Sequence, residues 1–111
     1  MATTASARIY DADSEAEIAV LHCSADGGPS DFGAELKKFA RGFVIGAGIP
    51  CKGLPEKFAN GAGCFAAQLV AHFKTGPGGF YLEGAETGGA ANYNYKISIK
   101  VGKPVSVRLC R

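Results

Sequence analysis

Residues 60–79 read NGAGCFAAQLVAHFKTGPGG, and they decide the fold. Asn60 offers an N-cap oxygen, Thr75-Gly76-Pro77 ends a helix, and nearly everything between is apolar. A helix that is apolar on almost every side belongs inside a protein, so this one is expected to lie centrally against a sheet. Cys64, Gln68 and His72 interrupt it at i, i+4 and i+8. Cys64 and His72 stand two turns apart, roughly 12 Å along the axis, and about 80° apart around it, too far to act together. The Gln68 amide needs partners, since leaving it buried and unpaired costs about 1–3 kcal/mol. The backbone of the turn at 26–29 or a neighbouring strand is expected to supply them.

Toward the C-terminus the period changes. Residues 79–83 (GFYLE) read as a strand, and a glycine-rich turn over 84–90 leads into residues 92–101. There Tyr93, Tyr95, Ile97, Ile99 and Val101 take one face, and Asn92, Asn94, Lys96, Ser98 and Lys100 the other. Alternation at period two marks a sheet with one wet face. Gly102-Lys103 is expected to form a two-residue turn with glycine at the first central position. Pro104 then opens an edge strand over 105–110, where its missing N–H is tolerated.

Toward the N-terminus, residues 50–59 form a loop with a helical turn around Glu56-Lys57-Phe58, and residues 43–49 are apolar and extended. The helix before them starts at Ser30 or Asp31 and carries Phe32, Leu36, Phe39 and Phe43 at i, i+4, i+7 and i+11. Lys37, Lys38 and Arg41 sit toward its C-terminal end, where the dipole favours cations, and Gly42 stops it. Asp26-Gly27-Gly28-Pro29 is a sharp break. Two strands precede it, 8–12 and 17–24, joined by Asp13-Ser14-Glu15. In the second, Ile18, Val20 and His22 share one face and Ala19, Leu21 and Cys23 the other, which suits an interior strand. Residues 2–6 are small and polar, and residues 1–6 are expected to be flexible. The order is ββααβββ. It predicts an α+β domain over 7–111: a two-layer sandwich of an about five-stranded, mostly antiparallel sheet with two helices on one face.

A chain of 111 residues is one domain and long enough for a core without metals or disulfides. The net charge is only +2, and Lys96, Lys100, Lys103, Arg108 and Arg111 form no run and have no exposed aromatics between them. This argues against a nucleic-acid partner. No apolar run reaches membrane-spanning length, and MATTASARIY lacks the form of a secretory signal. The expectation is a cytoplasmic protein with Cys23, Cys51, Cys64 and Cys110 reduced. None of them forms a C-x-x-C pair, so a zinc ribbon has no support.

Three chemistries are conceivable. Cys64 lies in a first helical turn, where the dipole lowers a thiol pKa; of the two histidines that could serve as its base, His72 is too far along the helix and His22 lies on a strand. Packing in the core is the competing role. A metal set of His22, Cys23, Cys64 and His72 is disfavoured, because adjacent strand residues point to opposite faces; neither metal nor cofactor is expected. A phosphate cradle at 27–30 or 60–63 would use the free amides of a helix start, but neither segment has a P-loop lysine. The glycines are expected to serve tight turns and close packing against the sheet. The candidate residues are Asp26, His22 and Cys64 for catalysis, and Asp26, Gly27, Gly28, Gln68 and His72 for binding.

Two segments carry a resemblance. Residues 26–36, DGGPSDFGAEL, resemble D-G-Y-P-S-x-x-G-x-x-L, and residues 60–70, NGAGCFAAQLV, resemble N-G-x-G-C-x-A-A-Q. With a Y-x-Y strand, here Tyr93 and Tyr95, these motifs are similar to those of a family of small uncharacterised bacterial and phage proteins. The likeness runs from about Ala7 to Ile99. It implies carriage on a mobile element, a prophage or an integron gene cassette, and implies no activity. The chain departs from the pattern at Gly28, where the family has tyrosine, and at Ser24 and Ala25, where it has aromatics.

The functional expectation is a small cytosolic binding or interaction protein from a mobile element, with a small molecule or a protein as partner. The alternative is a small enzyme using Asp26, His22 or Cys64, with Asp26 as a general acid or base near the glycine turn. A homo-oligomer would use the edge near Pro104 or the wet sheet face.

Overall fold

The computed structural model describes residues 3–49, 53–84 and 91–110. Its elements are β1 (Ala5–Asp11), β2 (Ala16–Cys23), α1 (Phe32–Ala40), β3 (Val44–Gly46), β4 (Phe58–Asn60), α2 (Gly61–Phe73), β5 (Phe80–Glu83), β6 (Tyr93–Ile99) and β7 (Ser106–Cys110). Five strands form one sheet in the order β5-β2-β1-β6-β7, and β3 pairs with β4 in a second, two-stranded sheet. The α+β class, the five-stranded sheet and the two helices are as expected. The order differs, because β3 and β4 stand between the helices. The sheet is mixed: β1–β2, β2–β5 and β6–β7 are antiparallel, but the central pair, β1–β6, is parallel. Alternation fixes which side chains share a face and carries no information on the direction of the neighbour.

Ala5, Ala7, Ile9, Leu21, Cys23, Tyr95, Ile97 and Ile99 face both helices and join Leu36, Phe65 and Leu69 in one core. A chain of packed rings runs through it, with Phe32–Tyr95, Phe39–Phe65 and Phe43–Phe65 centroids 5.9, 5.7 and 5.0 Å apart. Arg8, Tyr10, His22 and Lys96 alternate onto the far face. There Arg8 pairs with Glu17 at 3.4 Å, and the Lys96 ammonium lies 4.2 Å from the Tyr10 ring centre. Among the described residues, no helix is long and apolar enough to cross a membrane.

Several local expectations are corrected. β1 begins at Ala5, inside the segment expected to be flexible, and Ala5 and Ser6 are fully buried. The small Ala5 side chain lets the turn at Gly27 close onto the strand, and the Ser6 hydroxyl donates to Asn94 Oδ1 at 2.7 Å. The helical turn expected at 56–58 is instead a bend entering β4. In the turn after β6, Lys103 donates its backbone N–H to Lys100, which makes Gly102, at φ +78°, the second central residue rather than the first. α2 is not enclosed on every side. Ala62, Phe65, Ala66 and Leu69 are buried, whereas Gly63, Ala67, Ala71 and His72 face outward. Alanine and glycine count as apolar in a pattern but expose little apolar area, so the helix looks more buried in sequence than in space.

The polar groups of α2 also find other partners than expected. Asn60 precedes the helix but does not cap it; its Oδ1 accepts the Gly48 N–H at 2.6 Å. Gln68 donates to the Phe58 carbonyl of β4 at 2.8 Å and to Cys64 Sγ at 3.4 Å. Of the two partners expected, the neighbouring strand is correct and the glycine turn is not.

Candidate functional site

The start of α1 is built from the turn that precedes it. The amides of Asp31 and Gly33 donate to the Gly28 carbonyl at 3.0 and 3.1 Å, and the Phe32 amide donates to the Asp26 carbonyl at 3.1 Å. These bonds occupy three of the amides at the helix start that a phosphate would otherwise meet, and no side chain caps the helix. Asp26 enters the turn at φ +57°, a left-handed conformation that aspartate tolerates better than most residues.

Two contacts lock this turn to the sheet. The Tyr95 hydroxyl, itself buried, donates to the Gly27 carbonyl at 2.8 Å, and the Gly27 amide donates to the Thr3 carbonyl at 3.0 Å. A Cβ on Gly27 would lie 2.6 Å from the Ala5 Cβ and 2.8 Å from the Thr4 carbonyl carbon. Gly27 is thus required for close approach. Gly28 is not: a Cβ there would meet nothing nearer than the Tyr93 ring at 3.9 Å.

Beside this turn is a cavity of about 530 Å³. Phe32, Phe73 and Phe80 supply its aromatic wall, with Phe32 5.2 Å from Phe73 and 5.7 Å from Phe80 between ring centres. Asp26, Asp31 and Glu35 supply three carboxylates, and among the described residues no lysine or arginine lines it. Ser30 adds a hydroxyl. His72, exposed near the end of α2, reaches the same cavity and packs 4.6 Å from Phe39 and 4.9 Å from Phe73. Cys23 also lines it. Its thiol donates to the Ala25 carbonyl at 2.9 Å, and burial pushes its pKa up, so it is held as a neutral donor rather than a nucleophile.

The cavity brings together Asp26 and His72, with Gly27 and Gly28 forming the adjoining turn. Three other candidates lie elsewhere. His22 alternates onto the far face of the sheet, where its Nδ1 lies 4.0 Å from Glu83 Oε1 and its ring 6.5 Å from that of Tyr81. Cys64, half-buried, packs against the core and takes the Gln68 amide; Gln68 is turned to β4. Among the described residues, no three His, Cys, Asp or Glu side chains converge as a group able to hold a metal ion.

Sequence reasoning missed Asp31, Glu35 and the three phenylalanines. Asp31 and Glu35 stand at i and i+4 on one helix face, and that spacing was available as a signal. The convergence of Phe73 and Phe80 on them required the tertiary fold. Compared with known protein families, curated proteins and solved structures, the chain matches none.

Proposed function

We propose that the protein is a small binding protein whose ligand is an organic cation held in the cavity at the start of α1. One observation carries this reading: three carboxylates line a phenylalanine-walled cavity that, among the described residues, has no lysine or arginine and only His72 as a basic side chain. An ammonium group gains from both surroundings, from the carboxylates by charge and from the ring faces by cation–π attraction. The volume falls within the range of small-molecule sites, about 300–1,000 Å³. The turn that carries Asp26 is held rigidly by Tyr95 and by the contact at Gly27, which lowers the ordering cost of binding.

The alternative, a small enzyme using Asp26, His22 or Cys64, has less support, because the three sit in separate surroundings and none has another of them as an acid–base partner. A cytosolic setting accompanies the proposal and is favoured by the free thiols of Cys23, Cys64 and Cys110. Carriage on a mobile element rests on the two motif resemblances.

Calorimetric titration with 2-phenylethylammonium and its neutral isostere 2-phenylethanol tests the reading. The cation is expected to bind and the alcohol not. Asp26→Asn, Asp31→Asn and Glu35→Gln combined should weaken binding by about tenfold or more, or about 1.4 kcal/mol. Equal binding of the cation and the alcohol would overturn the proposal.

A further inference from the structure

The other end of α1 opens on a second cavity, of about 730 Å³ and of opposite character. Phe43, Ile45, Val105 and Val107 form its floor, and among the described residues Lys37, Arg41 and Lys103 are its charged lining, with no aspartate or glutamate.

The helix dipole alone does not account for these cations. The last carbonyls of α1 are already served by Lys57, whose ammonium donates to Lys38, Phe39 and Arg41 carbonyls at 3.2, 2.9 and 2.8 Å. Lys37 and Arg41 stand at i and i+4, where like charges repel. Lys103 comes from a different element. The turn that carries it is tied to β3 by the Gly102 N–H, which donates to the Ile45 carbonyl at 3.0 Å. Among the described residues, no side-chain hydrogen bond or ion pair engages Lys37, Arg41 or Lys103. Three unpaired cations from two elements thus surround an aliphatic and aromatic floor, with Val44, half exposed, at its rim.

We propose that this cavity binds a small amphipathic anion, with its carboxylate among Lys37, Arg41 and Lys103 and its aliphatic tail over Phe43, Val105 and Val107. Charge complementarity selects the head group, and the apolar floor selects the tail. The site shares no residue with the acidic cavity, so each proposal stands or falls without the other.

The test is a titration of the intact chain with decanoate below its micelle concentration. It is followed by calorimetry and by backbone amide shifts. Butanoate (head without tail) and decyltrimethylammonium (tail with the opposite head) are the controls. Decanoate is expected to saturate and to shift amides at 41–45, 102–103 and 105–107, and both controls should act on those amides at least about tenfold more weakly. Lys37→Ala, Arg41→Ala and Lys103→Ala combined should weaken decanoate by about tenfold or more at an unchanged melting temperature, since all three side chains are exposed. Val105→Trp, which fills the floor and leaves the charges, should weaken it too. The proposal is overturned if decanoate does not saturate, if decyltrimethylammonium shifts the amides at 41–45 and 105–107 equally, or if the decanoate shifts map to Phe32 and Phe80. A concentration-dependent dimer that buries this cavity would assign it to a second copy of the chain and overturn the proposal as well.

Discussion

The two ends of α1 solve the same problem by opposite means. At the start, orphan amides are satisfied by carbonyls of Asp26 and Gly28, a few residues back in the chain. At the finish, orphan carbonyls are satisfied by one ammonium, that of Lys57, from 16 to 19 residues ahead. The first solution is local and made of backbone; the second is distant and made of a single flexible side chain. Each end also gathers the charge that the helix dipole prefers, acidic at the start and basic at the finish. The difference teaches that a short helix can organise two chemically opposite surfaces while leaving few of its own polar groups open to a ligand.

The comparison makes the start of α1 the stiffer end, and the largest expected effect lies there. Gly27→Ala would press a methyl against the backbone of Thr4 and Ala5, which cannot rotate away, so a loss of about 3 kcal/mol is expected in urea unfolding. Gly28→Ala, one residue on, should stay within about 0.5 kcal/mol. Equal costs at the two glycines would show that the turn is not packed as described. Tyr95→Phe comes next. It strips the Gly27 carbonyl of its buried donor and should cost about 1–2 kcal/mol. Lys57→Met removes the cap at the far end, where Lys38 and Arg41 are exposed and water can replace it, so about 1 kcal/mol is expected. A cost above that of Tyr95→Phe would reverse the ranking of the two ends.

The smallest effect is one of pH, and it too belongs to the start of α1. Burial raises the pKa of Cys23 above the ordinary 9.0 and that of Tyr95 above the ordinary 10.0. Above those ordinary values the unfolded chain releases protons that the native state keeps, so the unfolding free energy falls as pH rises. Stability from these groups is full at neutral pH and fades through the alkaline range. The urea midpoint should decline above pH 9, and Cys23→Ala should flatten the first part of that decline. A midpoint that rises there would contradict the sign.

The same contrast explains what was legible in the sequence. The α1 stripe through Phe39, a helix end just before Gly42 and the alternation of Tyr95, Ile97 and Ile99 are local patterns that the structure keeps, whereas Phe43, the last residue expected on the stripe, lies beyond the helix. The tight turn at Gly27 was legible as a local signal. The parallel pairing of β1 with β6, the β3–β4 pair and the Lys57 cap depend on contacts between distant residues, which no local pattern records. Asn60 shows the limit most clearly. It has the residue type and position of a cap, yet its side chain is used by Gly48, twelve residues back. Of the candidate site, Asp26 and His72 were named from sequence, whereas the rings that make a cavity of their surroundings were not.

The central claim is that the acidic end of α1 reads positive charge. An amide-shift titration of the intact chain with 2-phenylethylammonium tests it most directly. The account predicts saturable shifts at Asp26, Phe32, Glu35 and Phe80, none at 41–45 or 102–107, and weakening as salt screens the exposed carboxylates. Absence of shifts, or shifts centred on Lys37 and Lys103, would contradict it.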